Sequence, residues 1–478
     1  MTHNELSKPD FLKFSFLIVL SQIIYSALGF IFLPIFLNEL SIEEYGLIAY
    51  RFNVAQLLAT ILILGFDHSI ERSSIVKKFS FFYSCALFFM ASLLAISFGL
   101  MIIFLLSILN ILEDLDISSI TLIFIFLVMG ALFMRFLAAF NGGHIKGIII
   151  IISVSIFSLI FLIALFSESI SINQRINWLL IPSYSVIAAS IFLVFKQLFL
   201  NKIELKGIPH YKNLGTDLKH ILKDTKELIP YILVSAILLN LDKIVIKQFW
   251  GNFEVGIYDV SMKLAAISLV LFSGFKMMLP KMLSNFRKGR ISFWHDNWIL
   301  ASTIIYWLSC IILIFVAHFF FTSIQDIKPL IYLANAIVFI SLLNMYGFSA
   351  RKVEQNPLSY SRIILLCSAF SAVLIYFCGY MFAKYGLNFY NLYLVVIFCS
   401  LLMYVIYRFS SLKDYENNSS ISTVDIICFV PMFLNILFML SFNEYFHLYN
   451  NSLSFNIILT IIMIISPVTL LFKKINNG

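Results

Sequence analysis

Five ionisable residues stand out within the long apolar runs of this 478-residue chain: Arg51, Asp242, Lys243, Asp259 and Lys263. A charge at membrane depth costs on the order of 3 kcal/mol or more unless it is paired or wetted, so each needs a physical reason. Asp259 and Lys263 are spaced i, i+4 and share a helix face. Asp242 and Lys243 are adjacent and point about 100° apart. Cations facing a wet interior would hold a phosphate, a diphosphate or an acidic sugar by charge-assisted hydrogen bonds. The two carboxylates would tune those cations, or carry a proton or sodium ion. The competing structural reading has Arg51 snorkelling to an interface and each Asp–Lys couple acting as a local pair. A second group, Asp67, His68, Glu71, Arg72 and Arg135, falls where two apolar runs end. These are candidates for a receiving site or gate, and otherwise solvated end charges. His144 and His318 are single histidines without ligand partners.

The elements that position these groups are apolar helices. Hydrophobic residues make up 61% of the chain and charged residues 12%, about half the charge of a soluble domain. Apolar runs of about 20 residues, each enough to cross a roughly 30 Å hydrocarbon core, recur from end to end. Short alternating segments of the β-barrel kind are absent. Gly, Pro, Asn and charge punctuation divides the runs into fourteen expected spans. They lie near 11–37, 46–66, 79–108, 117–139, 147–167, 177–199, 228–250, 256–284, 297–321, 329–349, 358–383, 390–411, 424–442 and 452–472. The first is longer than a signal-peptide core and is expected to be retained. The six cysteines all fall in apolar runs without metal spacing, so neither a disulfide framework nor a metal site is expected.

Basic residues alternate between the two ends of these spans. The end shared with the N-terminus carries 26 of the 33 Lys and Arg residues, seven of them from Lys196 to Lys226. The opposite end carries Arg175, Lys247, Lys328 and Lys384, and the remaining three are the intramembrane Arg51, Lys243 and Lys263. This bias predicts an even span count with both termini cytoplasmic. It also explains the net charge of +8 as orientation, not as a nucleic-acid surface. Outer loops are short, and no soluble domain is expected outside.

The two halves share a weak repeat. Glu44 and Gly46 open one span and Glu254 and Gly256 another, each followed by a further glycine, Gly65 or Gly274, one span-length on. Six spans separate the copies, so both run in the same direction, a parallel-repeat arrangement found in transporters with the substrate site between the repeats. Arg51, about a turn and a half into its span, and Lys263, two turns into its own, then stand at comparable depth in the two halves. Of 51 Phe and 22 Tyr, most are expected to face lipid or the interface; Tyr25, Tyr50 and Tyr258 are candidate stacking surfaces for sugars.

The stretch Leu37–Arg72, with its Glu43-Glu44-Tyr45-Gly46 turn and Gly65-Phe66-Asp67-His68-Ser69-Ile70-Glu71-Arg72 run, resembles polysaccharide-export flippases. So does Pro230–Pro280, with Asp242-Lys243, Val255-Gly256-Ile257-Tyr258 and the closing Pro280. Within the multidrug/oligosaccharidyl-lipid/polysaccharide (MOP) exporter superfamily, the resemblance is to Wzx-type flippases of O-antigen or capsule repeat units. It implies an all-α polytopic membrane bundle of about fourteen helices. Two pseudo-symmetric six-helix lobes, at 1–200 and 228–411, would flank a central cavity, with a cytoplasmic linker at 201–227 and two peripheral helices in 412–478. It also implies a bacterial inner-membrane location and a polyprenyl-diphosphate-linked oligosaccharide as substrate, with membrane lipid and a polysaccharide polymerase of the same pathway as partners. Arg51, Lys263, Asp259, Asp242 and Lys243 would line the substrate site, and Asp67, Arg72 and Arg135 the cytoplasmic gate.

On this reading the protein is not an enzyme and needs no cofactor, and proton or sodium coupling is the expectation raised by the intramembrane carboxylates. No Gly-x-x-x-x-Gly-Lys-Ser/Thr pattern occurs, so ATP is not the expected direct energy source. Three rivals remain. A drug exporter of the same superfamily would want mid-depth acids in its first lobe, where Arg51 has the wrong sign. A lipid II flippase shares the span count and basic cavity. A membrane polymerase or glycosyltransferase would need a catalytic outer loop, for which short loops leave little room.

Overall fold

The computed structural model describes residues 41–63, 65, 66, 69, 70, 81–108, 117–140, 187, 188, 191, 214–266, 298–300, 302–304, 306–309, 312, 327–353 and 358–412. The expected spans at 11–37, 147–167, 424–442 and 452–472 lie outside them. The described residues form helices joined by turns, with no strand among them. In chain order the helices are α1 (Ile42–Ile63), α2 (Phe81–Ile108), α3 (Ile117–Phe140), α4 (Leu214–Phe249), α5 (Asn252–Ala265), α6 (Ile327–Val353), α7 (Leu358–Lys384) and α8 (Tyr390–Leu412). Among the described residues, three stretches are long and apolar enough to cross a membrane: Ile42–Ile63, Cys85–Leu105 and Ile363–Lys384.

Local chemistry fixes the helix ends. Ser41 and Glu44 form a capping box at the start of α1. The Glu44 carboxylate accepts from the Ser41 N–H at 3.0 Å, and the Ser41 hydroxyl accepts from the Glu44 N–H at 3.2 Å. Glu43 and Glu44 also place negative charge in the first turn, where the helix dipole favours it. α4 and α5 are parted at Gly251, whose φ of 126° is a region that a side chain disfavours. α7 ends in a Schellman motif. There Gly386 (φ 68°) donates to Ala383 O, and Leu387 N–H reaches back to Phe382 O at 2.8 Å.

α4 runs unbroken for 36 residues through Pro230, roughly 54 Å and well beyond a roughly 30 Å hydrocarbon core. It starts at Leu214, so the second half of the expected 201–227 linker is helix, continuous with the span that follows.

The described residues fall into two compact units. The first holds α2 and α3, the second α5, α6 and α8, while α1, α4 and α7 each pass from one to the other. In the first, α2 packs on α3, and Phe124 on α3 fills the notch left by Gly99. Leu87, Phe88, Ala95 and Ile103 of α2 are buried, whereas Phe98, Met101 and Phe104 are more than half exposed. An outward-facing stripe of large apolar side chains this long is a lipid-facing surface. In the second unit α6 packs against α5 and α8, and the Asn344 amide donates to Ser400 O of α8 at 3.1 Å.

Candidate functional site

α5 is short, and it carries Asp259 and Lys263 about two and three turns from its start. The i, i+4 spacing does what the sequence predicts: Lys263 Nζ lies 2.9 Å from Asp259 Oδ2. The two ends of the pair differ in environment. Asp259 is 2% exposed, the Lys263 side chain 51%. A third group joins them. The hydroxyl of Tyr45, in the first turn of α1, donates to Asp259 Oδ2 at 2.7 Å and accepts from Lys263 Nζ at 2.7 Å. Its ring stands 5.1 Å from the same ammonium. An ammonium has three donors; two are taken, and the third has no acceptor among the described residues. The result is a buried carboxylate holding a half-exposed cation with one N–H to spare.

Behind the pair α5 is anchored by a buried tyrosine cluster. Ser261 donates to Tyr258 O at 2.8 Å and meets the Tyr393 hydroxyl at 2.6 Å; with its single proton committed, it accepts from Tyr393. Tyr258 and Tyr393 are fully buried, their rings 4.5 Å apart. Tyr258 is therefore a core residue, and the expectation that it offers a face to sugar does not fit its burial.

What lets α1 reach α5 is a reciprocal pair of glycines. A Cβ on Gly46 would strike Asn252 O and Gly256 N, and a Cβ on Gly256 would strike Ile42 O. Ile42 and Asn252 each lie one turn before the glycine of their own helix, so the contact is close to two-fold symmetric. The glycines that mark the repeat are thus the points where its copies touch. Aligning Gly46 with Gly256 pairs Lys263 with Asn53, and Arg51 with Ser261. In that alignment Arg51 is two residues out of register with Lys263, about 200° round the helix from the corresponding position.

The remaining expected residues are placed as follows. Arg51, in the first unit, is half-buried, and its buried Nε has no hydrogen-bond partner among the described residues. Asp242, also there, is 2% exposed and accepts from the Lys243 N–H at 2.8 Å. Lys243 is half-buried. Asp67, His68, Glu71 and Arg72 lie outside the described residues, as does the side chain of Arg135. Sequence reasoning missed Tyr45. Nothing in the spacing pointed to it, because its partners lie more than 200 residues away on another helix.

A separate cleft of about 470 Å³ opens between the α4–α5 and α7–α8 turns, lined by Phe249, Trp250, Phe253, Glu254, Phe389 and Tyr390 among others. Glu254 lies about 180° round α5 from Lys263, so this cleft is not the ion-pair site; its aromatic lining suits a membrane interface.

The fold resembles those of solved MOP-superfamily transporters. The fold matches a multidrug-resistance MATE transporter of that superfamily in its outward-facing conformation, at TM-score 0.54 and 13% identity, over 89% of this chain and 96% of that one. It matches a MOP-superfamily transporter from Pyrococcus furiosus, whose binding pocket is described as reversed in polarity, at 0.56 and 14%, over 83% and 94%. It also matches the lipid II flippase MurJ in an inward-closed conformation, at 0.50 and 14%, over 97% and 99%. The sequence pattern of the polysaccharide biosynthesis protein family spans residues 11–286. The chain belongs to that family. Among curated proteins none is significantly similar to it.

Proposed function

We propose that this chain is a Wzx-type flippase, moving undecaprenyl-diphosphate-linked oligosaccharide repeat units across the bacterial inner membrane by alternating access, for O-antigen or capsule synthesis. One observation carries the reading. In a membrane chain of a polysaccharide biosynthesis family, Lys263 stands half exposed beside a buried carboxylate with an N–H left for an anion. A diphosphate supplies the oxygens, and charge-assisted bonds to it are roughly twice as strong as neutral ones. Arg51, whose buried Nε lacks an acceptor among the described residues, is a further proposed substrate-binding residue, as is Lys243. Asp67, Arg72 and Arg135 are the proposed cytoplasmic gate. The proposed architecture keeps lobes at 1–200 and 228–411, the cytoplasmic segment between them, peripheral helices beyond 412 and both termini in the cytoplasm. No bond is made or broken.

Deleting the protein is expected to make an intact repeat unit on polyprenyl diphosphate accumulate on the cytoplasmic face, which lipid extraction and mass analysis would detect. Accumulation of an unpolymerised product already on the outer face would point instead to a polymerase. A lipid II flippase is the second reading, favoured by the end-to-end match to MurJ; accumulation of lipid II in the same extract would select it.

The carboxylates of Asp259 and Asp242 are the proposed sites of proton or sodium coupling. Dissipating the ion gradient across proteoliposomes is expected to slow flipping. An unchanged rate would remove coupling from the mechanism while leaving the substrate reading intact.

A further inference from the structure

We propose that Tyr45 competes with the anionic substrate for Lys263, so that the site takes a phosphate only as α1 moves away from α5. This rests on the reading of Lys263 as the diphosphate contact and deepens it.

The Tyr45 oxygen lies 2.7 Å from Lys263 Nζ, within the range an anionic oxygen would adopt. It therefore fills one of the positions a diphosphate needs. Two features hold it there. Its proton is committed to Asp259, and the neighbouring Gly46 lets the first turn of α1 lie directly on Asn252 and Gly256. A neutral phenol is a weaker acceptor than a phosphate, so the incoming anion can displace it. Once displaced, Tyr45 no longer ties α1 to α5, and Lys263 has two N–H groups for the substrate instead of one.

With both helices beginning on the outer face, as the basic-residue bias predicts, the contact that an incoming anion loosens lies toward that face.

Tyr45 is a positioning residue, and its test is a binding constant that a merely structural role would not improve. Inorganic pyrophosphate is titrated by calorimetry into the full-length protein in detergent. Tyr45→Phe is expected to bind it about tenfold tighter than the parent, the loss of one competing hydrogen bond. Gly46→Ala, which keeps every hydrogen-bonding group but forces the helices apart, is expected to shift affinity in the same direction. If Gly46→Ala does not accumulate, Tyr45→Phe, which introduces no clash, carries the comparison alone. Lys263→Gln is expected to abolish binding in every background. Affinity unchanged or weakened in Tyr45→Phe and Gly46→Ala, with binding still dependent on Lys263, would overturn the competition alone. Binding that survives Lys263→Gln would overturn the diphosphate site and the competition together.

Discussion

Lys263→Gln is expected to lower surface polysaccharide about tenfold or more, and to destabilise the protein more than Asp259→Asn does. The asymmetry follows from exposure. Removing the lysine takes the Lys263 cation away from the Asp259 carboxylate, which is 2% exposed. Breaking a buried pair by removing one partner costs about 3 kcal/mol. Removing the carboxylate leaves a cation that is 51% exposed and keeps Tyr45, so water compensates and the cost is about 1 kcal/mol. The double variant is expected to recover much of the loss of Lys263→Gln, because no charge then remains to be paired. Thermal unfolding of the purified proteins reads this order. Equal destabilisation by the two single changes would mean that Asp259 is wetter than its burial indicates.

The second large effect is steric. Gly256→Leu is expected to cost about 3 kcal/mol or to prevent accumulation, because the new side chain meets the Ile42 carbonyl and backbone cannot yield as a side chain can. Gly386→Ala is the matched control. Nothing stands within 4 Å of an added Cβ there, and only the φ of 68° opposes it, a cost of about 1 kcal/mol. Membrane yield and unfolding midpoint should separate the two clearly. A Gly256→Leu variant as stable as Gly386→Ala would show that α1 and α5 do not cross at these glycines.

These effects also mark what could be read from the sequence. The membrane class was legible because lipid removes the need for polar surface, and 12% charge leaves little alternative. The Asp259–Lys263 pair was legible because i, i+4 spacing is a property of one helix and needs no knowledge of its neighbours. Gly46 and Gly256 were legible as repeat markers, but their mutual contact was not, since sequence spacing says nothing about which helices cross. Tyr45 was missed for the same reason: its partners lie more than 200 residues away.

The Ser41–Glu44 capping box was visible and would have fixed the start of α1 at Ile42, one turn ahead of the expected boundary. The extension of α4 was invisible to hydropathy. Residues such as Lys219, His220, Lys223, Asp224 and Lys226 read equally as linker or as polar helix until the continuous hydrogen-bonded backbone is seen. The comparable depth expected for Arg51 and Lys263 came from counting turns, and counting turns fixes height far better than facing.

The most direct measurement reconstitutes the protein in liposomes with a polyprenyl-diphosphate-linked repeat unit in one leaflet and follows its appearance in the other. Parent protein should move it, and Lys263→Gln, at equal reconstituted and folded amount, should move it at least about tenfold more slowly. Equal rates for the two proteins, or no transfer by the parent above protein-free liposomes, would contradict the assignment of Lys263 as the anchor of a flipped diphosphate.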